Sequence, residues 1–336
     1  MDIFDYTKVA TPDKAIELAA KSNTAQQGAS IRFIAGGTTL FDLMKLSVER
    51  PSHLIDINDL PLNTVERTPN GETKIGALVR NSDLAHHPII AEHYPVVSQA
   101  LLSGASAQLR NMATVGGNLL QRTRCIYFRS TTMPCNKREP GSGCPAITGE
   151  NRTLAILGGS EHCIATNPSD MNVALVALEA TVHIEGTGGT RSVPIRDFHR
   201  LPGGTPHIES VLVPGDLVTH ITLPAPHQNS KQVYLKLRDR ASYEFALSSA
   251  AVVVEISDQH FRYVRLAMGG VGTKPWRAAE AEASLTGAPV NDRTIEKAAK
   301  IALAKARPQS SNGFKIELAQ RCVTHTLRLA TGLVKA

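Results

Sequence analysis

The chain has 336 residues, 42% of them hydrophobic and 20% charged, with a formal charge of +6. That length suffices for two domains, and no apolar run approaches the roughly 18 to 20 residues of a membrane-spanning helix, so no membrane insertion is expected. Aromatic residues make up only 4%, too few for the stacking surfaces that single-stranded nucleic acid needs, and the mild basic excess reads as solvated surface with no nucleic-acid partner.

Met1 to Ala20 carries Asp2 and Asp5 and no apolar h-region, so no signal peptide of its own is expected. Ile31 to Ala35 then reads as a strand, Gly36-Gly37-Thr38-Thr39 as a tight turn, and Leu40 to Leu46 as a helix. His53 to Ile57 and Lys74 to Val79 read as strands. Ser82 is placed to cap a short helix toward His87, and Tyr94 to Leu102 is helical in pattern. A second glycine turn follows at Thr114-Val115-Gly116-Gly117-Asn118. A strand, a diglycine turn and a helix start form an anion cradle: glycine lets the backbone approach closely, and the amides there lack partners. Asn118 adds an amide side chain to the second turn. Neither turn matches G-x-G-x-x-G, so a Rossmann nicotinamide site is not expected. One such turn is only a turn; two in one α/β region favour a ligand with two phosphates.

From Arg122 to Arg152 no helical or strand period survives, and Pro134, Pro140, Gly141, Gly143 and Pro145 break any helix. Structureless stretches of this length are functional or disordered, and this one holds Cys125, Cys135 and Cys144, with Cys163 beyond it. The spacing Cys-x9-Cys-x8-Cys-x18-Cys lacks the close ligand pairs of structural zinc sites. It suits a loop wrapped around a larger body such as a 4Fe-4S cluster. Two disulfides, a zinc ion or inert thiols stay open on spacing alone. Arg122, Arg124, Arg129, Lys137 and Arg138 lie beside these cysteines and are expected to offset a cluster's negative charge. Cys322, in the last helix, reads as a small buried hydrophobe.

Regular structure is expected again at Thr153 to Leu157 and His162 to Ala165. Asn167-Pro168-Ser169-Asp170 starts a helix over Met171 to Ala180, and Thr181 to Glu185 and Arg191 to Ile195 make a strand pair. Leu217 to Leu223, Val233 to Arg238, Leu247 to Ile256 and Arg262 to Met268 are strand-like. Helices follow near Trp276 to Leu285, Ile295 to Ala306 and Phe314 to Ala330. Strands first and helices after indicate an α+β unit, with a boundary at Leu201 to Pro206 or Pro224 to Asn229. No catalytic triad or general base is assembled anywhere, so no catalytic residue is expected on this chain.

Four stretches carry a family likeness: Phe33-Ile34-Ala35-Gly36-Gly37-Thr38-Thr39-Leu40-Phe41-Asp42-Leu43, Gln108 through Leu119, Pro168-Ser169-Asp170, and Lys236 through Tyr243. In that order they resemble the FAD-binding (medium) subunits of molybdenum hydroxylases, a family of xanthine dehydrogenases, aldehyde oxidoreductases and 4-hydroxybenzoyl-CoA reductase. The insertion Arg122 through Cys163 resembles the cluster-bearing subunit of bacterial heterotrimeric aldehyde oxidoreductases.

The resemblance implies an α+β fold. A two-part FAD-binding domain of the PCMH type would span 1–223, with an iron–sulfur insertion at about 122–163. A C-terminal domain like that of CO dehydrogenase flavoproteins would span 224–336. It implies FAD held by Ile34, Ala35, Gly36, Gly37, Thr38, Thr39 and Leu40 at the diphosphate. Thr114, Gly117 and Asn118 would meet the ribityl–diphosphate region and Asp170 the sugar hydroxyls. Lys236 would approach the isoalloxazine, and Leu217 would join the cofactor site. Cys125, Cys135, Cys144 and Cys163 would hold a 4Fe-4S cluster. Electrons would arrive from a large molybdenum-cofactor subunit through a small 2Fe-2S subunit and leave through FAD to an external acceptor other than NAD. Export to the periplasm would follow a partner's signal. Where xanthine dehydrogenases place an aromatic over the flavin, this chain has Gly104-Ala105-Ser106, leaving Tyr243 or Phe245 to cover the ring. A related hydroxylase subunit or a free-standing FAD oxidoreductase of the same fold is the alternative reading.

Overall fold

The computed structural model describes residues 1–335; Ala336, the last position of the expected C-terminal domain, lies outside the described residues. Strands β1 (Asp5–Lys8), β2 (Ile31–Ile34) and β3 (His53–Asp56) form a parallel sheet in the order β1-β3-β2. Parallel neighbours need crossovers, and helices α1 (Pro12–Ala19) and α2 (Leu40–Lys45) occupy them. Thr11 caps α1, with Pro12 at its first position, a start that costs nothing because that amide has no helical partner anyway. β1 and α1 were not expected from the pattern. Strand β3 runs through the middle of the sheet and buries Leu54 and Ile55.

A second, antiparallel sheet begins with β4 (Val65–Arg67) and β5 (Thr73–Gly76). The chain then leaves it for α3 (Asn81–His86), α4 (Pro88–His93), α5 (Pro95–Ser103), α6 (Ala107–Met112), α7 (Val115–Leu119), α8 (Ile126–Arg129) and α9 (Asp170–Ala177). It returns as β6 (Thr181–Gly186) and β7 (Gly189–Pro194), passes α10 (Ile195–Phe198), and ends in β8 (Leu217–Leu223). The order is β4-β5-β8-β6-β7. Every residue of α9 is buried, so Met171 to Ala177 is apolar apart from Asn172, whose Nδ2 donates to Leu119 O.

The third sheet, β9 (Lys231–Leu237), β10 (Ser248–Ser257), β11 (His260–Gly269) and β12 (Trp276–Arg277), is antiparallel in the order β12-β11-β10-β9. Helices α11 (Ala279–Leu285), α12 (Asp292–Ala302) and α13 (Phe314–Thr331) follow. Along β10, Ala250, Val252 and Val254 join the core beneath these helices, while Ala251 and Val253 join the core that contains α5 and α9. Successive side chains alternate faces, so a strand buried on both faces reads as the unbroken run Ala250 to Val254. This sheet therefore seals the seam against the N-terminal part of the chain.

Three expectations are corrected. Thr153 to Leu157 and His162 to Ala165, expected to be regular, form neither helix nor strand and make only isolated bridges, Leu157 with Gly272 and Ser160 with Cys163. Trp276 and Arg277 pair with Met268 and Ala267, so helix α11 starts only at Ala279. Helix α12 ends at Ala302 rather than Ala306.

Candidate cofactor-binding site

Beyond β2 the chain turns sharply at Gly36-Gly37. A Cβ on Gly36 would overlap the carbonyl of Met112, so this glycine lets the first bend pack against the segment that leads into the second. Gly37 has φ +68°, the left-handed region that favours glycine. The backbone amides of Gly36, Gly37, Thr38 and Thr39 have no acceptor among the described residues. The Thr39 side chain makes no capping bond either. Four successive unpaired amides beside two free hydroxyls are a backbone concavity for an anion.

The second bend differs, and the expectation that it offers the same cradle is corrected. Val115 N–H donates to Val79 O at 3.0 Å, Gly116 N–H to Ala77 O at 2.8 Å, and Asn118 N–H to Thr114 O at 2.8 Å. Gly117 N–H donates to Thr114 Oγ1 at 3.2 Å. With all four amides satisfied, this bend contributes space and side chains. A Cβ on Gly116 would lie 3.2 Å from Ala77, whereas one on Gly117 would meet only Thr114 Oγ1, at 3.1 Å. Asn118 Oδ1 accepts from Gln121 and, at 2.7 Å, from Ser169 Oγ, which ties this bend to the start of α9.

Two cavities meet at the bends. The first, about 240 Å³, is lined by Ile34 to Leu40, Thr114, Gly117 and Leu217. The second, about 440 Å³, is lined by Asn118, Asp170, Lys236, Tyr243 and Phe245. Thr38, Thr39, Ala113 and Gly117 belong to both walls. Together they form one elongated space in the size range of cofactor pockets, roughly 300 to 1,000 Å³. Every cofactor residue expected from the sequence lines one chamber or the other, and the free amides lie where the chambers join.

Charge is distributed unevenly along this space. In the first chamber the buried Glu49 pairs with Arg32 at 3.0 Å and with Arg122. Neither Glu49 nor Arg32 was singled out from the sequence. Lys236 Nζ donates to Asp170 Oδ2 at 2.8 Å in the wall of the second chamber, and to Ser103 O at 3.2 Å. Tyr243 and Phe245 are exposed at its mouth, with Arg240 against Tyr243 and Arg124 against Phe245 at 5.0 Å.

Cys125, Cys135, Cys144 and Cys163 line one small cavity with Tyr127, Phe128, Lys137 and His162. None is in a disulfide. Among the described residues no three acidic, histidine or cysteine side chains gather closely enough to hold a single metal ion, so the thiols ring a space rather than converge on a point. Burial pushes the Cys125 thiol up to about 12, against hydrogen bonds from the Phe128 and Tyr127 amides. Burial also raises Cys144 and Cys163. Ala165 N–H donates to Cys163 Sγ at 3.5 Å. Cys322 lies apart, buried in the core under the C-terminal helices.

The neighbouring cations are held in pairs with carboxylates and carbonyls. Arg124 and Arg129 pair with Asp42 at 2.7 and 2.9 Å. Arg122 and Lys137 pair with Glu209, whose carboxyl is held down at about 2 because these two cations outweigh its burial. Arg138 binds the carbonyls of Tyr127, Phe128 and Met133 instead. A residual positive charge survives, because Asp42, Glu49 and Glu209 are shared among more cations than carboxylates.

The FAD binding domain in molybdopterin dehydrogenase matches residues 2–226, and the CO dehydrogenase flavoprotein C-terminal domain matches residues 233–330. The chain is 49% identical over 329 residues to the aldehyde oxidoreductase FAD-binding subunit PaoB of Escherichia coli, covering 97% of this chain and 98% of that one. It is 30% identical over 311 residues to the glyceraldehyde dehydrogenase medium chain of Sulfolobus acidocaldarius, covering 92% and 90%. Carbon monoxide dehydrogenase from Hydrogenophaga pseudoflava shares the fold, with a TM-score of 0.77 at 24% identity and 99% of each chain covered. With the two-chambered cavity and its anion cradle, these matches make the chain a member of the FAD-binding subunit family of the molybdenum hydroxylases.

Proposed function

We propose that this chain is the flavin subunit of a molybdenum-dependent aldehyde oxidoreductase, and that FAD occupies the joined chambers with its diphosphate at the amides of Gly36 to Thr39. The observation that carries this reading is the run of four unpaired amides at the junction of the chambers. Thr114, Gly117 and Asn118 then border the ribityl–diphosphate region, Asp170 and Lys236 the ring side, and Leu217 the opposite end. FAD, when bound, accepts electron pairs and passes them on. The chain's own share is to bind, orient and surround that group with fixed charge. The 49% identity to an aldehyde oxidoreductase subunit supports aldehyde oxidation over the other reactions of the family.

The same reading assigns a 4Fe-4S cluster to Cys125, Cys135, Cys144 and Cys163. Four unpaired thiols around one cavity, three buried and Cys144 partly so, with an amide donating to sulfur, suit a multi-iron body better than a single zinc ion. A large molybdenum-cofactor subunit and a small 2Fe-2S subunit would be the partners, with co-export to the periplasm on a partner's signal. The division into an FAD-binding domain over 1–223 and a C-terminal domain beyond it belongs to this proposal.

The test is iron, flavin and molybdenum analysis of the native complex beside a Cys135→Ser variant. The expected result is FAD in every copy of this chain, with iron falling by about four per chain in the variant while FAD is retained. Unchanged iron removes Cys135 from the ligand set. A complex without FAD refutes the assignment, and a monomer that turns over aldehyde alone would favour a free-standing flavoprotein.

A further inference from the structure

Tyr234 carries no role so far, and it stands directly behind the ring side of the flavin chamber. It and Lys236 are two residues apart on β9, so their side chains leave the same face of the sheet. Both reach Asp170, the first residue of α9. Tyr234 Oη donates to Asp170 Oδ1 at 2.5 Å, and Lys236 Nζ donates to Asp170 Oδ2 at 2.8 Å. The three are buried, with Tyr234 7% exposed, Asp170 9% and the Lys236 side chain 3%. Asp170 and Lys236 line the chamber, whereas Tyr234 does not. Gly104 keeps the approach narrow: a Cβ there would lie 3.2 Å from Asp170 Oδ2.

A buried carboxylate keeps its charge only when its oxygens are hydrogen-bonded and a cation is near. Here each oxygen has one donor, a neutral phenol on one side and an ammonium on the other. Burial and the neighbouring carboxylate push the phenol well above its usual 10.0, so it remains a donor at any working pH. Without the phenol, Oδ1 would be buried and unpartnered. Lys236, the one ammonium in contact among the described residues, would then be drawn onto both oxygens and away from Ser103 and the chamber.

We propose that Tyr234 is a positioning residue that fixes the Asp170–Lys236 pair and so sets the charge presented to the flavin ring. This rests on the reading that FAD fills the second chamber. A cation held toward a flavin favours its reduced, more negative form, so loosening the lysine lowers the midpoint potential.

The experiment is a spectroelectrochemical titration of the FAD in the purified complex for Tyr234→Phe, Lys236→Met and the double variant. Flavin absorbance is read first: its absence from the unmodified complex sinks the flavin assignment, a failure separate from this one. With flavin present, Tyr234→Phe should shift the potential to more negative values, in the same sense as Lys236→Met and by less. It should add no shift on the Lys236→Met background, since coupled residues are non-additive. An unmoved potential, a shift of opposite sign, or an equal shift in both backgrounds overturns the role. If Tyr234→Phe does not accumulate, Asp170→Asn carries the test. It keeps the shape, removes the counter-charge and should raise the potential; an unchanged or lowered potential there contradicts the proposal.

Discussion

At the first diglycine bend four consecutive amides have no acceptor among the described residues, while at the second every amide from Val115 to Asn118 already has one. The two segments look alike in the chain. They differ because the second bend lies against β5 and its continuation, where Ala77 and Val79 supply carbonyls, while the first borders open space. A glycine pair announces close approach of backbone to something. Only the surroundings decide whether that partner is a ligand or the protein itself. A Cβ on Gly36 or Gly116 would point into neighbouring backbone, whereas one on Gly117, which lines both chambers, would meet only a hydroxyl.

Substitutions can break this contrast in graded steps. The largest effect is expected from Gly36→Ala, whose methyl would overlap the Met112 backbone. Overpacking against backbone costs roughly 3 kcal/mol, so the thermal midpoint and bound flavin should fall together. A stable Gly36→Ala chain that keeps its flavin would show that the close approach to Met112 is not required.

Acid should weaken the second bend by a comparable amount. His199 donates through Nε2 to Leu119 O at 3.0 Å, at the end of α7, and burial depresses it to about 4. The unfolded chain protonates this histidine near its ordinary 6.5, before the folded one does. Stability is therefore whole above about pH 6.5 and drains by about 3 kcal/mol as pH falls toward 4. Denaturation measured against pH should show this limb, and His199→Gln should flatten it; an identical limb in the variant would show that other groups control it.

Thr114→Ala removes the cap over Gly117 and should cost about 1 kcal/mol. It frees an amide, so flavin retention above the unmodified level would show that the second bend can also act as a cradle. The smallest effect on stability belongs to Gly117→Ala, where the added methyl meets only a hydroxyl. Its stability should stay within about 0.5 kcal/mol while flavin affinity drops, read by fluorescence titration of the flavin-free chain.

Much of this was legible in the sequence because the features are local. The strand–diglycine–helix order, the loss of periodicity after Arg122 and the wide cysteine spacing all register within a few residues. What escaped is paired over distance. Asp42, Glu49 and Glu209 neutralise Arg124, Arg122 and Lys137 from more than 70 residues away, and no local period encodes such a pair. Tyr234 reads as an ordinary strand residue because its partner Asp170 lies 64 positions earlier. The segments near Thr153 and His162, where regular structure was expected, are apolar because they pack around the cysteines and the C-terminal core, and burial without pairing leaves the same mark as regular structure.

Amide hydrogen exchange separates the two bends most directly. Peptides covering Gly36 to Thr39 and Val115 to Asn118 are followed in the flavin-free chain and after FAD is added. The account predicts rapid exchange at Gly36 to Thr39 that becomes strongly protected by FAD, with Val115 to Asn118 protected already and little changed. Protection appearing only at the second bend, or at neither, would contradict it.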